Sequence, residues 1–258
     1  MSITDGDTLR VTFKEGADSE PVRLLGINTP ELAHEDDETG YVRPAEPLAE
    51  EAKKALEAIT YGHIITLKYP YPSSSVTPDG VNRGSRTNIS RSDSSPNEKR
   101  DRHGRHLAML YDEKGTWVQE AMLRQGWGVV YLFPDSTFDP APLFKAESEA
   151  RAAKRGLWAD SYYAVIDQKD AGDFIGRYKL VEGTPYQVVT VKGTTYVNFA
   201  EDWKTDFTLR IPPEHKNLFA KADLKALEGR KIRARGWLRL KNGPMIDLTH
   251  PGQIEALP

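Results

Sequence analysis

Cysteine is absent from this 258-residue chain, which excludes disulfide staples and every thiolate mechanism, nucleophilic or metal-binding. No run approaches the roughly 20 consecutive apolar residues that a membrane-spanning helix needs. A large charge of one sign is lacking too. The net charge is -3, with 20 Lys+Arg against 25 Asp+Glu over residues 1–159 and 15 against 13 over residues 160–258. A strong overall field that would steer a polyanion is therefore excluded, and any attraction to phosphate must come from local clusters. With 38% hydrophobic and 28% charged residues, the chain can bury a sizeable core in one large or two modest domains.

What is present centres on Val22-Arg23-Leu24-Leu25-Gly26-Ile27-Asn28-Thr29-Pro30-Glu31. An apolar run holding one arginine reads as a buried strand over 22–27, which the polar stretch with Pro30 ends. A lone buried guanidinium is very costly, so Arg23 requires an anionic partner. Arg23, Asn28 and Glu31 thus read as one site for an anion and a cation. Around it, Thr8–Lys14 alternates as a half-buried strand, and the acidic stretch 32–43 reads as a solvated loop. A helix opens at Pro44, shows Leu48, Ala52, Ala55, Leu56 and Ile59 on one face, and stops at Gly62. Residues 63–69 and 105–111 read as strands. Between them, residues 70–99 are rich in serine and poor in aliphatics, the composition of a disordered insertion. A helix over 116–125 is expected to bury Trp117, Ala121 and Met122 or Leu123. An extended stretch, 127–133, follows. A last helix, 142–155, is expected to pack through Phe144, Ala146, Ala150 and Ala153.

Asp5-Gly6-Asp7-Thr8, then Arg23 to Glu31, then Arg100-Asp101-Arg102-His103-Gly104-Arg105, then Val118 to Gly126, and finally Arg155-Gly156-Leu157-Trp158 occur in an order that resembles the staphylococcal-nuclease (thermonuclease-like) family over roughly residues 1–160. Each piece alone is weak; their order makes the likeness specific. The resemblance implies an α+β domain: a five-stranded barrel of the oligonucleotide/oligosaccharide-binding (OB) type with three helices. It implies a calcium ion ligated by Asp7, Asn28 and the Thr29 carbonyl, water activation by Glu31, and a phosphate clamp of Arg23 and Arg105. It also implies cleavage of DNA or RNA with little sequence preference, leaving 3′-phosphate ends. Tyr131 and Phe133 match two tyrosines that flank the bound nucleotide in such proteins, although Phe133 stacks without a hydroxyl. Arg102 and His103 reach a neighbouring phosphate or sit in an exposed turn. Asn28 departs from the aspartate of the family, which keeps a coordinating oxygen but removes one negative charge. Only four residues precede Asp5, whereas the family has a full strand there. Either a short strand suffices there, or an upstream segment with an export signal precedes this start; the second, with a secreted or periplasmic location, is the expectation.

Residues 161–176 read as a linker, and 177–258 as a second domain. Strands at 178–181, 186–191, 196–199 and 206–211, a short helix at 213–222 and strands at 231–240 and 245–248 point to a small OB-like barrel. Lys231, Arg233, Arg235, Trp237 and Arg239 fall at period two. They read either as an accessory single-strand nucleic-acid platform or as the solvated face of a strand with Trp237 in the core. The whole chain reads as a calcium-dependent nuclease acting on single-stranded or frayed DNA or RNA, with no membrane partner. The alternatives are a catalytically weakened nucleic-acid-binding protein and an interaction scaffold.

Overall fold

A computed structural model describes residues 1–13, 17–35, 40–70 and 99–257. All but the two end residues of the insertion expected at 70–99 lie outside the described residues, as does the tip (36–39) of the acidic loop. The chain is mixed α+β and divides into two compact units, 1–131 with 136–162 and 132–135 with 163–258. No described helix is long and apolar enough to cross a membrane.

The first unit holds strands β1 (Ser2–Ile3), β2 (Thr8–Val11), β3 (Glu20–Leu24), β4 (Gly26–Asn28), β5 (His34–Glu35) and β6 (Val42–Arg43), then helix α1 (Ala49–Thr60). It continues with β7 (Thr66–Lys68), β8 (His106–Tyr111), α2 (Val118–Gln125), β9 (Val129–Tyr131) and α3 (Ala141–Ala152). Its main sheet runs β1-β2-β3-β8-β7, antiparallel throughout except for the parallel pair β3 and β8. The apolar run expected to be one strand is two. Gly26 sits at φ +87, and a Cβ there would fall 2.5 Å from Leu143 Cδ1. The chain turns at this glycine, so β4 leaves the main sheet and pairs with β9 instead.

Helix α1 begins at Ala49, later than Pro44, behind a left-handed Leu48 (φ +65), and buries Ala49, Ala52, Leu56 and Thr60. In α2 the buried residues are Val118, Gln119, Met122 and Leu123, while Trp117 precedes the helix and bridges Tyr111. The packing face of α3 is Leu143, Ala146, Glu147 and Ala150. Phe144 lies beside that stripe, one residue out of the i, i+3, i+4, i+7 phase. Two buried polar side chains stitch these helices to strands. Gln119 accepts from Leu110 N (3.1 Å) and donates to Ala108 O (2.9 Å). Glu147 accepts from Val130 N (2.7 Å) and pairs with Arg151.

After a 3-10 turn at Gly156–Ala159, the stretch expected as a linker (161–176) holds 3-10 turns (Ser161–Tyr163, Gln168–Phe174) and a short strand, β10 (Ile166–Asp167). The second unit continues with β11 (Tyr178–Gly183), β12 (Gln187–Val191), β13 (Thr194–Asn198), β14 (Thr208–Ile211), β15 (Ile232–Leu240), β16 (Pro244–Asp247) and β17 (Ile254–Ala256). Strand order is β10-β11-β15-β16-β14-β13-β12, with β17 also on β15 and the β14–β16 pair parallel. Strand alternation buries Val197, Leu209, Ile246 and Leu238 in one cross-strand row, at the centre of a core that includes Phe199, Phe207 and Ile232.

Candidate active site

The turn Asp5-Gly6-Asp7-Thr8 is held by its own first residue: Asp7 N donates to Asp5 Oδ1 (2.9 Å). Gly6 is required by close approach. A Cβ there would lie 2.6 Å from Thr29 Oγ1 and 2.9 Å from Ala52 Cβ. With no side chain in the way, the turn rests on the end of β4 and on α1. Asp7 Oδ2 accepts from Thr29 N (3.1 Å) and pairs with Arg23 Nη2 at 2.9 Å, both side chains being buried. The anionic partner that Arg23 requires is thus Asp7.

Arg23 has two further acceptors, Leu24 O (2.6 Å) and Asn28 Oδ1 (3.3 Å), while Asn28 Nδ2 donates to Thr29 O (3.5 Å). Thr8 Oγ1 donates to Asp7 Oδ1 (3.1 Å) and accepts from Arg105 Nη1 (3.2 Å). One continuous network therefore runs Arg105–Thr8–Asp7–Arg23–Asn28, joining the two guanidinium groups through a hydroxyl and a carboxylate. Arg105 is aimed by Asp101, whose Oδ2 accepts from its Nε (2.8 Å) and whose Oδ1 accepts from its backbone N (3.0 Å). Burial raises the Asp101 pKa, but the hydrogen bonds from Arg105 and His103 outweigh it and hold the carboxyl below its usual range. Burial pushes the Asp7 carboxyl up from 3.8 to about 7 against the pull of Arg23, and the charges of Asp5 and Glu31 add to the rise.

Glu31 is mounted differently. Its N donates to Glu46 Oε2 (3.1 Å), its carbonyl accepts from Glu46 N (2.9 Å), and its carboxylate meets Arg43 Nη2 of β6 at 3.1 Å. Tyr162 Oη donates in turn to Glu46 Oε1 (3.2 Å).

Asp5, Thr8, Arg43, Glu46, Asp101 and Tyr162 were not expected at the site. The i, i+4 spacing of Asp101 and Arg105 was a usable signal; Arg43, in an irregular acidic stretch, offered none. Arg102 and His103 hydrogen-bond each other (3.0 Å) on an exposed turn. Tyr131 ends β9 opposite Gly26, whereas Phe133 falls in 132–135, a segment of the second unit.

The basic stripe of β15 does not point into solvent as a set. Lys231 and Arg233 pair with Glu182, Arg233 also meets Glu255 (2.9 Å), and the Arg235 side chain is 2% exposed with Glu255 at 3.8 Å. Cross-strand carboxylates answer these cations, and neighbouring strands cover Arg235. Trp237 is 46% exposed, outside the core.

The donors gathered at Asp7, Asn28 and the Thr29 carbonyl are all oxygen, the chemistry that suits a hard divalent cation rather than a softer metal. The carboxyl of Asp7, pushed up first by burial and further by Asp5 and Glu31, is a group that a cation would return to its charged form. The fit is limited by charge: among the described residues no three His, Cys, Asp or Glu side chains form a metal-binding group. Asp7 and Asn28 both face Arg23.

A family model described as staphylococcal nuclease homologue matches residues 21–160. An uncharacterized protein of Bacillus anthracis is 29% identical over 171 residues, 66% of this chain and 63% of that protein. Uncharacterized endonucleases of Escherichia coli O157:H7 and of Escherichia coli are each 38% identical over 63 residues, 24% of this chain and 39% of theirs. The chain thus spans less than two thirds of the length of each of these relatives.

Proposed function

Because the chain belongs to the staphylococcal nuclease homologue family, we propose that it is a nuclease hydrolysing phosphodiester bonds of DNA or RNA with low sequence specificity, with calcium as cofactor. The observation that carries this reading is the network joining Arg105 to Arg23 through Thr8 and Asp7, with the Glu31 charge acting on the same carboxyl. In this reading Arg23 and Arg105 grip the non-bridging phosphate oxygens, where a planar two-pronged donor that never loses its charge is the suitable group. Glu31 accepts a proton from the attacking water, and Asp101 keeps Arg105 in place as charge develops. Asp7, Asn28 and the Thr29 carbonyl would hold the cation, which when bound supplies charge neutralisation at the phosphate. Tyr131, Phe133, Arg102 and His103 are proposed substrate contacts outside this network.

Both units are further proposed to be OB-type barrels. Supporting this, the order β1-β2-β3-β8-β7 of the first sheet recurs as the path β12-β13-β14-β16-β15 within the larger second sheet, which β11 and β10 extend beyond β15; in both, the third of these five strands in chain order is parallel to the fifth, with a helical segment between the third and fourth. A second reading, a nucleic-acid-binding protein with weakened catalysis, is favoured by Asn28. Digestion of plasmid and single-stranded DNA with calcium and then with chelator separates the two. Calcium-dependent cutting lost in Glu31→Ala supports the nuclease; DNA retarded but uncut supports the binder.

A further inference from the structure

The outer face of the second unit's sheet carries a cross-strand row that the β15 stripe does not describe. Tyr196 of β13 stands opposite Arg210 of β14, and Arg210 stands opposite Asp247 of β16. Arg210 Nη1 reaches both Asp247 oxygens at 3.3 Å, and Arg239 of β15 meets the same carboxylate. Two residues before Arg239, and so on the same side of the strand, Trp237 stands opposite Tyr178, their rings edge to face at 5.9 Å. This side is the reverse of the buried row Val197, Leu209, Ile246 and Leu238. Two guanidinium groups thus share one carboxylate, leaving a local excess of one positive charge. Arg210 Nε is buried without a partner among the described residues. Burial, then the charge of Arg210, hold Arg239 below the usual guanidinium value.

We propose that this face binds single-stranded nucleic acid, with a base stacked on the exposed ring of Trp237 and a phosphate taken by the Arg210–Arg239 pair. The aromatic rings supply faces that any base can stack on, and the surplus guanidinium charge is complementary to a phosphate backbone. A duplex buries its base faces and offers only the second of these contacts. This deepens the nuclease reading by giving the second unit a grip on the strand, but it does not depend on cutting.

The test is fluorescence anisotropy of labelled twelve-residue oligothymidylate with the full chain in chelator, so that binding is read without hydrolysis. Trp237→Ala removes a half-exposed ring, and Arg210→Gln leaves Asp247 paired with Arg239, so neither opens the core. Trp237→Ala is expected to weaken binding by roughly fivefold or more, the loss of about one base stack. Arg210→Gln is expected to lower the slope of log affinity against log salt by about one. Both variants should hydrolyse a small chromogenic phosphodiester at the rate of the parent chain, since that substrate offers no strand to grip. If the parent hydrolyses nothing but binds the oligonucleotide through Trp237, the nuclease reading fails and this one stands. Unchanged affinity in both variants overturns the proposal, as does a duplex of equal length bound as tightly. A self-association that Trp237→Ala abolishes, with no change in oligonucleotide binding, would assign the face to a second copy and overturn it as well.

Discussion

Asn28 and Asp7 set the charge of the candidate cation site between them. An amide at position 28 coordinates through one neutral oxygen, so a single added carboxylate should be felt directly. Asn28→Asp is expected to tighten calcium binding about tenfold in a calorimetric titration; equal affinity would show that Asn28 is not a ligand. Asp7 makes a separate prediction. Its carboxyl titrates near 7 in the folded chain against about 3.8 ordinarily. Between those values the folded state holds a proton that the unfolded state has lost, so stability falls as pH rises. In chelator, the melting temperature should decline between pH 4.5 and 7.5, and Asp7→Asn should flatten that decline. A wild-type curve as flat as the variant's would remove Asp7 as the titrating group. Arg23 shows how much a single residue can reveal from sequence: a guanidinium in an apolar run demanded an anion, and the anion is there. Arg43 shows the limit, since a strand of two residues, β6, has no periodicity to betray its contact with Glu31.

Elements were legible where side-chain period and packing agree, and misread where a single backbone position overrides the pattern. In α1, Ala52 and Leu56 of the expected face are buried. The break between β3 and β4 was hidden because Leu24, Leu25 and Ile27 are all buried on either side of it, so hydrophobicity gives no sign of the turn at Gly26. In α2 the phase was misjudged because Gln119 is polar yet fully buried, its amide making two backbone hydrogen bonds to β8. Gln119→Ala would leave Leu110 N–H without a partner in the core, while Ala108 C=O would keep the bond from Leu25 N (3.0 Å). A loss of roughly 1–3 kcal/mol is expected in urea unfolding. A loss under 1 kcal/mol would mean that the strand finds other partners. The cross-strand ion pairs of β11 and β15 were equally invisible, because Glu182 and Arg233 are 51 residues apart.

At the scale of the molecule, the five-strand order of the first unit recurs as part of the larger sheet of the second, whose charge balance is opposite, though no repeat in the sequence links them. Topology is set by which buried faces must meet, and many sequences satisfy the same requirement. Another consequence of that packing concerns a residue with no chemistry. The turn that presents Asp7 has clearance for nothing larger than hydrogen between itself and α1, and the methyl group of Ala52 sets the gap. Ala52 is a spacer for the turn that carries the acid. Adding two methyl groups in Ala52→Val should cost about 1–3 kcal/mol of stability and lower nuclease activity further than the folded fraction accounts for. Circular dichroism and a cleavage assay on the same sample would tell the two losses apart; activity that merely tracks folding would relieve Ala52 of that role. A machinery built from arginines and carboxylates is, on this view, calibrated by the smallest side chain near it.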